Sequence, residues 1–310
     1  MARHPELLRL PPVEAGAGIS VVAPASFARP ERIDNGAARL KALGFVPRFM
    51  PSATARGPLF FAGTPEQRIA DLHAAFADRA SQLVMCLRGG YGSNHILEHV
   101  DLDIIRAQPK PFFAYSDLTG LQLQLLDRLG LPAFHGPMLA ADFFLEDGVH
   151  LNSFYAALAG AAYEIGPAQG MRGLKPGAAS GTLYGGCLSI LASLLGTPWE
   201  PQTENKLLFL EDVGAKPYQI DRMLWQLRAA GKLEGVTGVI FGEMLDCASP
   251  GGEPDLLDKV IASAFTDFEG PIAMGLRSGH VSRDNVTLTF GVEAELRVDE
   301  DAQLRIGGRN

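Results

Sequence analysis

From residue 18 to residue 130 the sequence keeps switching between short apolar runs and longer segments with helical spacing, and this alternation limits the fold more than any other feature. Residues 18–25, Gly-Ile-Ser-Val-Val-Ala-Pro-Ala, are apolar, β-branched and bounded by breakers, the pattern of a buried strand. Residues 30–43 open with Pro30, place Ile33, Ala37, Leu40 and Leu43 at helical spacing, and meet a stop at Gly44. The same grammar predicts strands at 45–50, 81–88 and 111–115, and helices at 64–78 and 116–129, the last ended by Gly130. Strands separated by helices imply a mostly parallel sheet covered on both faces.

Between about 164 and 181 the periodicity fails in a stretch rich in Gly and Pro, which reads as an interdomain linker. Beyond it, strands are expected near 206–212, 236–242, 271–275, 286–290, 294–298 and 302–306, with helices near 187–195, 217–230 and 254–266. The last three strands follow one another without helices, so the second domain should be mixed and partly antiparallel. The predicted division is 1–163, linker 164–181 and 182–310. A chain of 310 residues accommodates two domains at roughly 150 residues each.

Composition narrows the function. With 27 basic and 35 acidic residues the formal charge is −8, which offers no electrostatic grip on a phosphate backbone, so nucleic acid is not an expected partner. Cys86, Cys187 and Cys247 are widely separated, without the paired spacing of a zinc site or a disulfide framework, and fit a reducing, cytoplasmic setting. The N-terminal Leu7, Leu8 and Leu10 are interrupted by Arg9, Pro11 and Pro12 before a signal-peptide core develops, and no apolar window is long enough to span a bilayer. No His/Cys/Asp/Glu group has metal-ligand spacing, and no metal is expected.

Several segments could carry chemistry. Ser116 stands where the apolar run Pro111–Tyr115 enters a helix, so its hydroxyl lies near unpaired backbone N–H groups that favour a developing oxyanion; an ordinary helix cap is the competing reading. The surrounding residues do not spell Gly-x-Ser-x-Gly. Arg88-Gly89-Gly90-Tyr91-Gly92 can bring backbone close to a ligand, as a donor loop for an oxyanion or a carboxylate, or can be a plain tight turn. The predicted strand Lys206–Leu210 runs into Glu211 and Asp212, either of which could orient a histidine or cap the next turn. Of the seven histidines, His73, His95 and His99 fall in helical patterns and His4 is terminal, whereas His135 and His280 lie beside glycines at strand edges, where an imidazole can reach a serine from another segment.

Taken together these segments resemble the LD-carboxypeptidase family of serine peptidases, the muramoyltetrapeptide carboxypeptidases. The likeness runs through Val22-Ala23-Pro24, Ala62-Gly63-Thr64 with Arg68 and Asp71-Leu72, the Arg88–Gly92 loop and Tyr115–Thr119. It continues through His135-Gly136-Pro137-Met138, Gly185-Gly186, Leu210-Glu211-Asp212, Tyr218–Arg222, and Gly279-His280 followed by Asn285. The resemblance implies a flavodoxin-like N-terminal domain with a serine nucleophile at Ser116, and a C-terminal domain supplying Glu211 and His280 to a Ser-His-Glu triad. It also implies an oxyanion hole from the N–H groups of Gly90 and Asp117, substrate contacts at Arg88, Gly89, Tyr91, His135 and Gly136, no cofactor, and a homodimer.

The implied reaction is hydrolysis of the L,D-peptide bond that releases the C-terminal D-alanine of a murein tetrapeptide in cytoplasmic cell-wall recycling. Two departures stand out: Cys187 follows Gly185-Gly186 where relatives often carry asparagine, and Thr289-Phe290-Gly291 replaces a frequent Pro-Leu-Gly. Two other readings use the same residues. A microcin C immunity-type peptidase would apply the triad to a peptidyl or aminoacyl nucleotide, and a non-catalytic two-domain binding protein would close around a small ligand.

Overall fold

The structure, a computed structural model, describes residues 5–248, 253 and 255–309. His4, the start of the N-terminal segment and position 254 of the expected last helix lie outside the described residues.

The strands in chain order are β1 (Gly18–Val22), β2 (Val46–Phe49), β3 (Leu83–Cys86), β4 (Phe112–Ala114), β5 (Ala133–His135), β6 (Tyr163–Ile165) and β7 (Arg172–Lys175). They continue as β8 (Gly177–Cys187), β9 (Lys206–Glu211), β10 (Gly238–Gly242), β11 (Ile272–Leu276), β12 (Leu288–Phe290), β13 (Glu293–Val298) and β14 (Ala302–Ile306). Helices are α1 (Pro30–Ala42), α2 (Pro51–Thr54), α3 (Pro65–Ala77), α4 (Leu102–Ala107), α5 (Thr119–Leu129), α6 (Leu151–Ala159), α7 (Leu188–Ser193), α8 (Pro217–Ala229) and α9 (Leu256–Ala264).

Local chemistry sets the helix ends as the sequence suggested. Thr64 and Gln67 form a reciprocal capping box ahead of Pro65, satisfying two N–H groups that the first turn of α3 leaves open. Gly130 closes α5 in the left-handed conformation, φ +70°.

The first sheet has the order β12-β5-β4-β3-β1-β2, parallel from β5 to β2. Without β12 this is the flavodoxin-like order, whose reversal point lies between β1 and β3. Every residue of β1 and β3 is buried, as expected of strands covered on both faces. The second sheet has the order β6-β14-β13-β8-β9-β10-β11-β7, with β8 to β11 parallel and the flanking pairs antiparallel.

Two expectations are corrected. Residues 164–181 are no linker: they supply the end of β6, all of β7 and the first part of β8, and are built into the second sheet. Their glycines and prolines hid strands whose pairing comes from distant partners, β11 for β7 and β13 for the first part of β8. The strand expected near 286–290 also leaves its sequence neighbours. β12 crosses back to pair antiparallel with β5, Leu288 opposite His135, and extends the first sheet. Phe290 from β12 and Leu123 and Leu126 from α5 then pack into the same apolar cluster as Phe209 and Phe241 of the second sheet, so the two halves share buried surface rather than meeting at a hinge.

Candidate active site

The site collects at the C-terminal ends of parallel strands from both sheets. In the first sheet these are the segments following β1, β3 and β4, beside the reversal point where open α/β sheets leave a crevice. After β4 the chain turns sharply. Ser116 has φ +66°, a left-handed conformation that costs a non-glycine residue about 1–2 kcal/mol. It begins a short 3₁₀ turn, Ser116–Leu118, and α5 starts only at Thr119. Its side chain makes no capping bond; instead its carbonyl accepts the Thr119 hydroxyl at 2.8 Å. The cap reading is therefore set aside, and the strained turn leaves the hydroxyl free.

The glycine loop after β3 lies against this turn. A Cβ on Gly89 would stand 2.7 Å from Ser116 Cβ and 2.9 Å from its Oγ, so only glycine permits the approach. Gly90 is exposed with φ +98°, and the next residue, Tyr91, donates its N–H to Ser26 Oγ at 3.1 Å, tying the loops after β1 and β3 together. Asp117 is turned away from the site: its carboxylate accepts Ser93 N–H at 2.8 Å and its carbonyl accepts the Ser93 hydroxyl at 2.5 Å, which fixes the turn bearing the Asp117 N–H.

From the second sheet, β9 ends on Glu211, fully buried, and its Oε2 accepts both the Nδ1–H of His280 at 2.7 Å and the His280 backbone N–H at 3.0 Å. His280 is one-fifth exposed (20%), leaving Nε2 as its free ring nitrogen. Burial disfavours the charge on each, but each partner outweighs it: Glu211 is held below the ordinary carboxylate range by the His280 imidazole, and Glu211 raises His280 above its usual value. The Tyr115 ring, one residue before Ser116, meets the His280 ring edge-on at 5.2 Å between centroids. Ser116 makes no direct hydrogen bond to His280 among the described residues. An imidazole so held can accept a hydroxyl proton at Nε2 while its other nitrogen stays on the carboxylate.

The neighbouring acid does something else. Asp212 accepts Ser189 N–H at 2.8 Å and Val213 N–H at 2.8 Å, serving the first turn of α7 and its own loop. Cys187 is buried, and burial followed by the charges of Glu211 and Asp212 pushes its thiol well up, so it offers no thiolate nucleophile.

His135 is a correction to the expected substrate contacts. It is fully buried, packed against Tyr115, Phe209 and Phe290, and lies behind the Glu211–His280 pair rather than on the crevice surface. Burial drives its imidazole down to about 4, so it is neutral. Gly136 is likewise buried, against Thr287. Arg88 is half-buried beside Tyr115, while Tyr91 is 45% exposed in a ring cluster with Phe60, Phe61 and His95.

Two further residues join the halves. Buried Asp142 accepts Met138 N–H at 2.8 Å, Tyr115 O–H at 3.2 Å and Asn285 Nδ2–H at 3.0 Å. Asn285 in turn accepts Gly279 N–H at 3.0 Å and donates to Gly279 O at 3.1 Å, clamping the residue before His280. Burial raises Asp142 to about 6. Nothing in the sequence around Asp142 signals this role, because its partners come from three separate segments.

Comparison with known proteins finds relatives along the length of the chain. Two family models match the chain, the LD-carboxypeptidase N-terminal domain over residues 19–136 and the LD-carboxypeptidase C-terminal domain over residues 180–296. A probable murein peptide carboxypeptidase of Bacillus subtilis is 36% identical over 292 residues, covering 92% of this chain and 90% of its own. The solved muramoyltetrapeptide carboxypeptidase of Oxalobacter formigenes matches with a TM-score of 0.83 at 28% identity, over 94% of this chain and 99% of that one. An MccF-like protein of Bacillus anthracis matches with a TM-score of 0.89 at 26% identity, over 97% and 100%.

Proposed function

The chain belongs to the LD-carboxypeptidase family of serine peptidases, and from that premise we propose that it releases the C-terminal D-alanine of murein tetrapeptides in cytoplasmic cell-wall recycling, working as a homodimer without a cofactor. Membership in a peptidase family sets aside the non-catalytic binding-protein reading. Among the described residues no helix is long and apolar enough to cross a membrane.

The bond between His280 and buried Glu211, beside the Tyr115–Ser116 turn, carries the mechanistic reading. Ser116 Oγ attacks the carbonyl carbon of the residue preceding D-alanine while His280 Nε2 takes its proton. The oxyanion forms against the N–H groups of Gly90 and Asp117, and the strained Ser116 turn and glycine loop preorganise those donors. His280 then gives the proton to the departing D-alanine nitrogen, leaving an acyl-Ser116 ester. Water attacks that ester with His280 again as base, releasing the tripeptide acid and restoring the hydroxyl. Glu211 remains ionised throughout, holding the imidazole tautomer and stabilising its charged form. Arg88, Gly89 and Tyr91 contact the peptide, whereas His135 and Gly136 act from behind.

Ser116→Ala tests this: D-alanine release, followed by mass spectrometry of a tetrapeptide digest, should vanish in a protein that still folds. Full activity would overturn the assignment. A second reading is favoured by the likeness to the MccF-like protein and by the exposed Phe60–Tyr91 ring pair, 5.6 Å between centroids. On it the same triad cleaves an aminoacyl nucleotide whose base stacks on those rings. Offering both substrate types to one preparation ranks the two.

A further inference from the structure

The largest fully buried side chain among the described residues takes no part in the steps above. Arg68, near the start of α3, is 1% exposed, and no described carboxylate forms an ion pair with it. Asp117 is also buried, and no described cation forms an ion pair with it. Removing such charges from water is costly unless each is met by an opposite charge or dipole.

Both charges meet the same peptide group. Arg68 Nη1 donates to Gly92 O at 2.8 Å, and the N–H of that same Gly92–Ser93 peptide donates to Asp117 Oδ2 at 2.8 Å. A trans peptide directs its C=O and N–H to opposite sides, so a cation stands at the negative end of this dipole and an anion at the positive end. Burial works against the Arg68 charge, and the Asp117 carboxylate supports it.

Nη1 carries a second hydrogen, given to Pro24 O at 2.6 Å, just beyond β1. Two residues further on, Ser26 holds both neighbours of Gly90: its N–H donates to Gly89 O at 3.3 Å, and its Oγ accepts Tyr91 N–H. One nitrogen therefore reaches both oxyanion donors of the mechanism, Gly90 by way of Pro24 and Ser26, and Asp117 by way of Gly92 and Ser93. Nε and Nη2 have no hydrogen-bond partner among the described residues, so the guanidinium spends its bonding on these two carbonyls. The fit is close. A Cβ on Gly92, at φ +126°, would stand 3.1 Å from Nη1 and 2.6 Å from the Phe61 ring, whose centroid lies 5.0 Å from the guanidinium carbon.

We propose that Arg68 is a positioning residue for the oxyanion hole, clamping the loops after β1, β3 and β4 so that the N–H groups of Gly90 and Asp117 converge on one point. The inference rests on the serine-peptidase mechanism above. Arg68 acts through the bridged peptides, and its charge also offsets that of Asp117, which would otherwise oppose a negative oxygen forming nearby. Oxyanion donors act in the transition state more than on bound substrate, so loosening them lowers kcat and leaves KM nearly unchanged.

Arg68→Met and Arg68→Lys test this on three readouts. These are D-alanine release from a murein tetrapeptide, calorimetric binding of that peptide with Ser116→Ala added, and the rate of Ser116 labelling by a fluorophosphonate, whose phosphoryl oxygen takes the place of the oxyanion. Displacing reacting groups by about 1 Å costs about 10²-fold, so Arg68→Met should lower kcat and the labelling rate by about that factor, with KM and calorimetric affinity within about twofold of wild type. Arg68→Lys keeps the charge without the planar fork and should stand about tenfold below wild type. Native kcat in Arg68→Met, or a loss of tetrapeptide affinity as large as the loss of kcat, overturns the clamp while leaving the carboxypeptidase reading intact. If Arg68→Met does not fold, Arg68→Lys decides: slower turnover and labelling at unchanged affinity supports the clamp, and native rates or a matching fall in affinity overturn it. If wild type releases no D-alanine, the carboxypeptidase reading fails and labelling alone judges Arg68, slower labelling of the variants supporting the clamp and equal rates overturning it.

Discussion

Replacing Glu211 with glutamine keeps the shape of the side chain and removes its charge, and the structure predicts two opposite responses. In the native protein one carboxylate oxygen accepts two hydrogen bonds from His280, at 2.7 and 3.0 Å, with no solvent access. Only the Nδ1–H bond comes from the ring, and a hydrogen bond to a charged group contributes about 1.5–3 kcal/mol, so the imidazolium formed during proton transfer stands to lose roughly that much. That corresponds to a fall of roughly 10–10²-fold in limiting kcat/KM. The pH dependence should move the other way. Glu211 keeps His280 above its ordinary 6.5, so the native base form is lost as pH falls through a value above 6.5. Without the Glu211 charge, burial is opposed only by the carboxylates of Asp212 and Asp142, so the imidazole falls from its native position and the reduced activity extends to lower pH.

Stability follows the same signs. The His280 contribution is complete below 6.5 and is lost as pH rises through its raised value; the Glu211 contribution is complete above 4.5 and is lost as pH falls through its depressed value. The melting-temperature gap between wild type and Glu211→Gln should therefore be widest between pH 4.5 and 6.5. Profiles of kcat/KM for D-alanine release from pH 5 to 9, with calorimetry across the same range, measure both effects. An acid limb that stays in place or moves upward, or a rate loss below tenfold, would refute the assignment of Glu211 as the partner that charges His280.

The turn at Ser116 makes its own prediction. Glycine relieves the left-handed strain of about 1–2 kcal/mol and costs about 0.5–1 kcal/mol in unfolded-chain entropy, so Ser116→Gly should melt above Ser116→Ala while both are inactive; the reverse order in calorimetry would mean the turn is unstrained. At Gly89 an added methyl would meet Ser116 Cβ at 2.7 Å, and a displacement near 1 Å costs about 10²-fold, so Gly89→Ala should lose that much D-alanine release and label slowly with a fluorophosphonate. Native turnover in Gly89→Ala would show that the loop and the nucleophile are not in contact.

Most of the first sheet was legible because each strand and helix satisfies its own period locally, with Pro30, Thr64 and Gly130 marking the ends. The stretch 164–181 was not, since β7 and β8 are strands by virtue of partners a hundred residues away, while their glycines and prolines locally resemble loop. β12 shows the same limit: its sequence is a strand in any sheet, and only packing against β5 assigns it to the first. At the site, residue types and motif order brought forward Ser116, Glu211 and His280, but left Ser116 a potential cap, Glu211 and Asp212 interchangeable, and His135 level with His280.

Those choices belong to three dimensions. Successive residues at the end of β9 point to opposite sides, sending Glu211 to His280 and Asp212 to Ser189. Burial places His135 behind the pair, and Asp142 and Asn285 join the two halves through bonds among segments that share no sequence neighbourhood. The sequence alone determined the elements and the chemical groups at their ends, because those depend on periodicity, capping and residue type. Which groups meet, which are buried and which remain free was decided only by tertiary packing, because contact and desolvation are properties of assembled surfaces.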